Sequence, residues 1–361
     1  MENIFFSLFS LFFSIFLNME NSINYYVGIL MDINHLDNRL KILKWTKHGD
    51  LLEKVVSCGG RDCLNEFKKW TPLKLIVLSY FAGVYTSILR NQLKDIDLIY
   101  IDLFSGTGVN IIKESKEILV GSPLAFIDSV SNRNLTFDMM FFNDIDPKST
   151  EALKKRLGYL EERDQFKWIS GKYEISTLEC NDAIDIITNK INNYRFKHFL
   201  AFIDPYKWQL QWSSFEKLLS IGYGDIIITF QSLLTAKEIG SLKSGHLKGK
   251  IKSLKSFLGE ENEEVIINLG STEGIGLEEG VRKYYINKII KYKPFVMDIK
   301  ISAGGKNPYK YYIIYATGKE DPKWVDVLSR LQKFIEEHSG DEVNISIDYL
   351  QGKQKRMDDY F

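Results

Sequence analysis

Four short apolar runs divide this chain and limit the folds open to it: "DLIYIDLF" (97–104), "FDMMFFND" (137–144), "HFLAFID" (198–204) and "GDIIITF" (224–230). Each has strand length, and most end in Asp or at a polar loop. Helix-length stretches such as "PKSTEALKKRLGYLEE" and "CNDAIDIITNKINN" lie between them. Near-continuous apolar strands alternating with helices imply βαβ units and a parallel sheet covered on both faces. A weaker third strand is expected at "FKWIS" (166–170).

Further on, "PFVMDIKIS" and "YKYYIIYAT" flank the turn-rich "AGGKNP" and read as an antiparallel hairpin. Before the sheet, residues 32–95 look helical, and "PLKLIVLSYFAGVYTSIL" is too densely apolar for a surface helix. A parallel α/β sheet finished by an antiparallel hairpin is the plan of the Rossmann-like class I methyltransferase fold. The expected organisation is an apolar extension (1–30), a helical lead-in (31–95) and the sheet domain (96–320), in which 231–293 is a variable insertion. A C-terminal helix and strand (321–350) and a tail (351–361) follow.

Lys+Arg and Asp+Glu are equal at 47 each, so no global field draws the chain to a polyanion, and such a ligand must meet a local basic patch. The three cysteines, Cys58, Cys63 and Cys180, are too few and unevenly placed for a disulfide framework. Cys58 and Cys63 flank "GGRD" without a second ligand pair, so free thiols and no metal are expected, which suits the cytoplasm. The run "IFFSLFSLFFSIFL" is short for a membrane span and lacks the flanks of a signal peptide. The expected reading is a start called too early, with Met19 or Met31 the true one; a membrane anchor is the alternative.

In an open α/β sheet, ligands bind beyond the carboxyl ends of the strands. After the first run comes "DLFSGTG", with Asp102, Phe104, Gly106 and Gly108. Glycines let a turn pass close to a ligand, and a strand-end carboxylate can meet a cationic or hydroxyl-bearing group; a tight strand-to-helix turn alone would also need this pattern. The second run ends in "NDIDP", where Asp144 can accept hydrogen bonds from both ribose hydroxyls. Asp146 can cap the helix begun by Pro147. In "ECNDAID", Asp182 or Asn181 could bond an adenine amino group, or Asp182 could be only a first-turn helix residue.

The fourth run ends in "FIDPYKWQLQW". Asp204 and a backbone carbonyl can accept hydrogen bonds from an exocyclic amine and make its nitrogen a better nucleophile. Tyr206 offers a face to a flipped base. Alternatively, Pro205 merely ends the strand and Tyr206 caps the core.

With "YIDLFSGTG", "GSPLAF", "FIDPY" and "YYIIYATG" in this order, the chain resembles the three-Cys-motif partner family over roughly residues 68–320, with 231–293 matching least well. The resemblance implies a class I methyltransferase-like fold and S-adenosylmethionine bound by Asp102, Gly106, Gly108 and Asp144. Asp204, Pro205 and Tyr206 would lie at the methyl-acceptor site. A partner bearing a three-cysteine motif like that of radical-SAM enzymes is also implied. Amino-methylating DNA enzymes usually carry Asn/Asp-Pro-Pro-aromatic, whereas this chain has one proline there.

Two further stretches bear on partners. "KEIGSLKSGHLKGKIKSLK" (237–255), with Lys243, Lys248, Lys250 and Lys252, is dense enough in lysine to neutralise phosphates. Its glycines suggest a loop-like stretch, and "EENEE" directly after it would balance a merely solvated face. The final "QKRMDDYF" is similar to the motif that binds PCNA-type sliding clamps, at Gln354, Met357, Tyr360 and Phe361. One helical turn would put the last three on one face as an apolar plug. The expected function is methyl transfer to nucleic acid, DNA in preference to RNA, in repair or modification. The alternative is a non-catalytic cofactor- or nucleotide-binding partner.

Overall fold

In the computed structural model, the residues described are 36–93, 95–244, 251–271, 273–303, 309–320, 322, 324–338 and 346. The apolar run at 4–17, Lys248, Lys250, the hairpin turn and the tail with Gln354, Met357, Tyr360 and Phe361 lie outside them.

The central sheet has seven strands: β2 (Asp97–Asp102), β5 (Met139–Asn143), β6 (Tyr173–Ser176), β7 (Lys197–Ile203), β8 (Gly224–Phe230), β9 (Phe295–Ala303) and β10 (Tyr309–Thr317). Their order is β6-β5-β2-β7-β8-β10-β9. The first five are parallel, and β10 runs antiparallel to both β8 and β9. This is the class I methyltransferase arrangement that the sequence leads one to expect. A second sheet joins β1 (Asn65–Phe67), β3 (Val109–Ile112) and β4 (Ile118–Val120).

The two-residue period of a strand sorts its side chains to two cores. In β2, Leu98 and Tyr100 face one core while Ile99 and Ile101 face the other; in β7, Leu200 and Phe202 oppose Phe199, Ala201 and Ile203. The first core is covered by the helices Thr71–Gln92, Ser122–Ser131, Pro147–Glu161 and Val325–Glu337, the second by Cys180–Asn192, Trp212–Leu219 and the helices of 232–290. Those last helices are integral to the second core: Tyr285 stacks on Phe230 at 4.7 Å and on Phe257 at 5.2 Å between ring centroids. Burying side chains of this size contributes about 1.5–3 kcal/mol each.

The helical lead-in is present, with helices Leu36–Leu43, Leu51–Gly59 and Thr71–Gln92, and it also contains the short strand β1 at Asn65–Phe67. One expectation needs correction. The third strand is not "FKWIS": Asp164–Ile169 is a 3₁₀ helix, in which Phe166 and Ile169, three apart, are both buried. With three residues per turn, those two positions share a face, and the strand follows at Tyr173–Ser176.

The helix Thr71–Gln92 has Pro72 in its first turn and is buried nearly all round. It is the one helix among the described residues long and apolar enough to cross a membrane, and 89% of that apolar window is buried inside the protein.

At the amino edge of the sheet, Asp225 and Lys293 are fully buried. Asp225 Oδ2 accepts from the Tyr315 hydroxyl, which in turn accepts from Trp324 Nε1, while Oδ1 has no hydrogen-bond partner among the described residues. Burial pushes the Asp225 carboxyl up to about 6 from 3.8, against the pull of the Tyr315 and Thr317 hydroxyls. The folded state therefore holds a proton that the unfolded chain has released, and this group's contribution to stability falls as pH rises from about 4 to about 6. Asp225→Asn should be more stable than the parent near pH 8, by on the order of 2 kcal/mol. That advantage should fade by about pH 4, read from urea midpoints. A difference independent of pH would show that Asp225 is not held neutral.

Candidate functional site

The neighbouring strands β5, β2 and β7 carry Asp144, Asp102 and Asp204 at or just beyond their carboxyl ends. Asp102 is fully buried. Its Oδ1 accepts the Phe104 N–H at 3.2 Å, and Oδ2 has no hydrogen-bond partner among the described residues. Burial pushes its carboxyl up to about 7; the nearby Ser122 hydroxyl, which makes no hydrogen bond to it within normal geometry, and the Phe104 N–H act the other way, and Asp204 and Asp144 add to the rise. Phe104 itself packs against the second core, partly buried.

After Gly108 the chain makes the β3–β4 excursion before the helix Ser122–Ser131 begins. It returns so closely that the Gly121 N–H donates to the Gly108 carbonyl at 2.7 Å, and a Cβ on Gly121 would stand 2.9 Å from the Gly108 carbonyl carbon. "DLFSGTG" and "GSPLAF" are thus one loop in space. Gly106 and Gly108 both have positive φ, +55° and +77°. A Cβ there would meet Asn65 Nδ2 at 1.9 Å and Leu153 Cδ1 at 2.8 Å. The close approach these glycines permit is therefore to Asn65 and Leu153 as well as to any ligand, so Gly106→Val would disturb the fold itself.

Asp144 is partly buried, and burial pushes its carboxyl up. Its Oδ2 accepts the Gly106 N–H at 2.9 Å and its Oδ1 the Asp146 N–H at 3.0 Å. A carboxylate has about four acceptor sites, so capacity for two hydroxyls remains. Asp146 caps the helix Pro147–Glu161 through Lys148 N. Ile145 stands between them, 62% exposed.

Asp182 is exposed in the first turn of its helix, which Glu179 caps. Asn181 is committed elsewhere: its Nδ2 donates to the Gln209 carbonyl at 3.0 Å and its Oδ1 accepts the Gln211 N–H at 2.9 Å. Cys58, Cys63 and Cys180 are free thiols.

Four residues that matter here escaped the sequence reading. Asn143 ties three strand ends together, donating to the Leu103 and Leu178 carbonyls and accepting from Ser176 Oγ. Arg156 is fully buried, and its guanidinium donates to the carbonyls of Val55, Thr107, Gly60 and Cys63. It thereby clamps the glycine loop to the lead-in. The other two, Lys74 and Thr229, hold Asp204. Lys74 Nζ forms an ion pair with Asp204 Oδ2, and Thr229 Oγ1 donates to Oδ1 at 2.6 Å.

Signals for these last two exist. Lys74 is the one charged residue inside "PLKLIVLSYF", and Thr229 follows Ile228, which lies beside Ile203 in the sheet.

Pro205 is buried and Tyr206 is 68% exposed. The Tyr206 N–H donates to Gln209 Oε1 at 3.0 Å, and Lys207 Nζ stands 5.4 Å from the Tyr206 ring centroid. Asp204 and Lys74 lie in a cleft of about 510 Å³, whose walls include Lys68, Trp70, Tyr206 and Lys237. Of the basic stretch, Lys243 and Lys252 are exposed on helices Ser232–Lys243 and Ile251–Leu258, while Gly245 and Gly249, on which the loop-like expectation rests, lie outside the described residues. Neither lysine lines the cleft; Lys237 does.

No family model matches the chain, and no curated protein matches it. Among solved structures it is similar to protein LPL1258 from Legionella pneumophila, with 11% identity and a TM-score of 0.44 over 75% of this chain and 94% of that one. It is also similar to an O-methyltransferase from Bacillus cereus in complex with SAH, with 12% identity, a TM-score of 0.39, and 74% and 91% coverage. A third is the O-methyltransferase TomG from Streptomyces achromogenes, with 12% identity, a TM-score of 0.38, and 74% and 90% coverage.

Proposed function

We propose that this protein is an S-adenosylmethionine-dependent methyltransferase acting on nucleic acid, DNA in preference to RNA. The observation that carries the reading is the carboxyl edge of β5, β2 and β7, where a glycine-rich loop lies between Asp144 and the Asp204 cleft. The residues fit the cofactor. It is cationic, and Asp102 presents a buried carboxylate oxygen without a partner among the described residues. Asp144 keeps acceptor capacity for ribose hydroxyls, and the exposed Ile145 offers an apolar face. When bound, the cofactor supplies a methyl group on a positively charged sulfur.

The chain's own residues then handle the acceptor. Lys74 and Thr229 fix the Asp204 carboxylate, and its remaining lone pairs can accept from an exocyclic amine. That contact strengthens as the nitrogen gains positive charge. Tyr206 offers a stacking face.

A cation favours ionised Asp102, whose carboxyl lies near 7 in the free protein. Cofactor affinity should therefore climb as pH rises from about 6 to about 8, by up to roughly tenfold, and Asp102→Asn should flatten the profile. Calorimetry across that range reads it directly, and a flat profile in the parent would remove Asp102 from the cofactor site.

Transfer of labelled methyl groups to DNA, RNA and protein pools tests the acceptor, with label expected in nucleic acid. The second reading is a cofactor-binding, non-catalytic partner of a three-Cys-motif protein. It is favoured by the ion pair that already occupies Asp204, and binding without label in any pool would support it.

Recruitment by a PCNA-type sliding clamp through Gln354, Met357, Tyr360 and Phe361 belongs to the same proposal. Tethering would raise the effective concentration on DNA without a strong basic field. Micromolar binding of the tail peptide to such a clamp is expected, as in short apolar-plug motifs, and it should be lost in Tyr360→Ala/Phe361→Ala. Absence of binding by peptide and whole protein would remove the main reason for preferring DNA.

A further inference from the structure

Lys74 and Lys310 in the cleft are neutralised by Asp204 and Glu278. Lys68 and Lys237, both exposed, are different. Among the described residues neither has a carboxylate within ion-pair distance, and they reach the same cleft from separate elements. Lys68 follows β1 directly, with its Nζ 5.0 Å from the Trp70 ring centroid, and Lys237 lies on the helix Ser232–Lys243. Two uncompensated ammonium groups therefore border a cavity whose volume suits one small molecule or one nucleotide.

Asp204 lies at depth, with its side chain 18% exposed. A base held inside a duplex cannot reach such a group without leaving the stack. Tyr206, by contrast, is 68% exposed at the same cleft.

We propose that the cleft binds a single-stranded nucleic-acid segment, one unpaired base entering over Asp204 against Tyr206, with the flanking phosphates on Lys68 and Lys237. The inference rests on the reading of this cleft as the acceptor site. It also accounts for two separate lysines, since a nucleotide within a strand carries phosphate on both sides and a free mononucleotide on one.

Fluorescence anisotropy of the full chain tests it. The probes are a labelled mixed-sequence single-stranded DNA, the same sequence in RNA and the DNA duplex, with adenosine monophosphate as competitor. At least one single strand should bind roughly tenfold or more tightly than the duplex, and the mononucleotide should compete weakly. The DNA and RNA arms distinguish the source of the strand, and preference for either supports the inference. Tyr206→Ala should weaken binding about tenfold regardless of sequence. Lys68→Gln and Lys237→Gln should each make the log–log salt dependence shallower by about 0.7.

All three positions are exposed, so the variants should fold. Duplex binding as tight as single-strand binding, or an unchanged salt slope in the double lysine variant, would overturn the inference. A protein that binds S-adenosylmethionine but no single strand overturns this inference alone. One that binds single strands but not the cofactor overturns the methyltransferase reading and leaves this one standing.

Discussion

Asp204→Ala is expected to lower methyl transfer by about 10²–10³ while leaving S-adenosylmethionine affinity within about twofold, since one group aimed at developing charge supplies an effect of this size. The loss should fall on turnover more than on acceptor binding, because the contact strengthens only as the nitrogen becomes positive. The substitution also strands Lys74, whose side chain is 12% exposed in the cleft. Removing one member of a buried pair costs about 3–5 kcal/mol, and this partly solvated pair should cost less. The double variant Lys74→Met/Asp204→Ala separates the two effects. It should recover most of the lost stability, because no uncompensated charge remains, and none of the lost turnover. Recovery of both together, or near-normal turnover in Asp204→Ala, would make Asp204 a structural residue.

The largest expected loss of stability is at Arg156. Its guanidinium reaches four backbone carbonyls, including Thr107 between the two loop glycines, and a Cβ on Gly59 would stand 2.3 Å from its Nε. Arg156→Ala would strip the guanidinium donors from those carbonyls, of which Gly60 keeps the Cys63 N–H and Val55 the Cys58 thiol, and would open a cavity, so a cost of about 4 kcal/mol or more is expected. Arg156→Lys should restore little, because one ammonium cannot span the positions a planar fork serves. Cofactor affinity should fall in both variants, since the loop loses its anchor. Urea midpoints and calorimetry on the same samples check this. A loss under about 1 kcal/mol would show that the lead-in and the glycine loop are held together by other contacts.

Strands β2, β5, β7 and β8 were legible because a strand buried on both faces must be apolar throughout. "GDIIITF" coincides with β8. The hairpin was equally plain, with β9 and β10 on either side of its turn. β6 was not, because it is an edge strand, with Tyr173 and Ile175 only partly buried, while the more apolar "FKWIS" nearby closes a helical turn. The strand-end carboxylates were visible by position.

Their partners were not. Lys74 lies 130 residues from Asp204 in the chain, and Arg156 lies 101 from Val55. Contacts of that span depend on the completed fold, and no local spacing announces them. The role of Gly106 was half-legible: its left-handed backbone follows from the turn, whereas the Asn65 side chain filling its empty side comes from a strand that the sequence did not suggest.

The central claim is that the glycine loop and the two acidic strand ends beside it hold S-adenosylmethionine next to Asp204. Titration calorimetry of the full-length protein with S-adenosylmethionine, near pH 8, tests it most directly. Saturable one-to-one binding is expected, lost in Asp102→Ala and kept in Asp204→Ala. No saturable binding by the parent protein, or equal binding by Asp102→Ala, would contradict it.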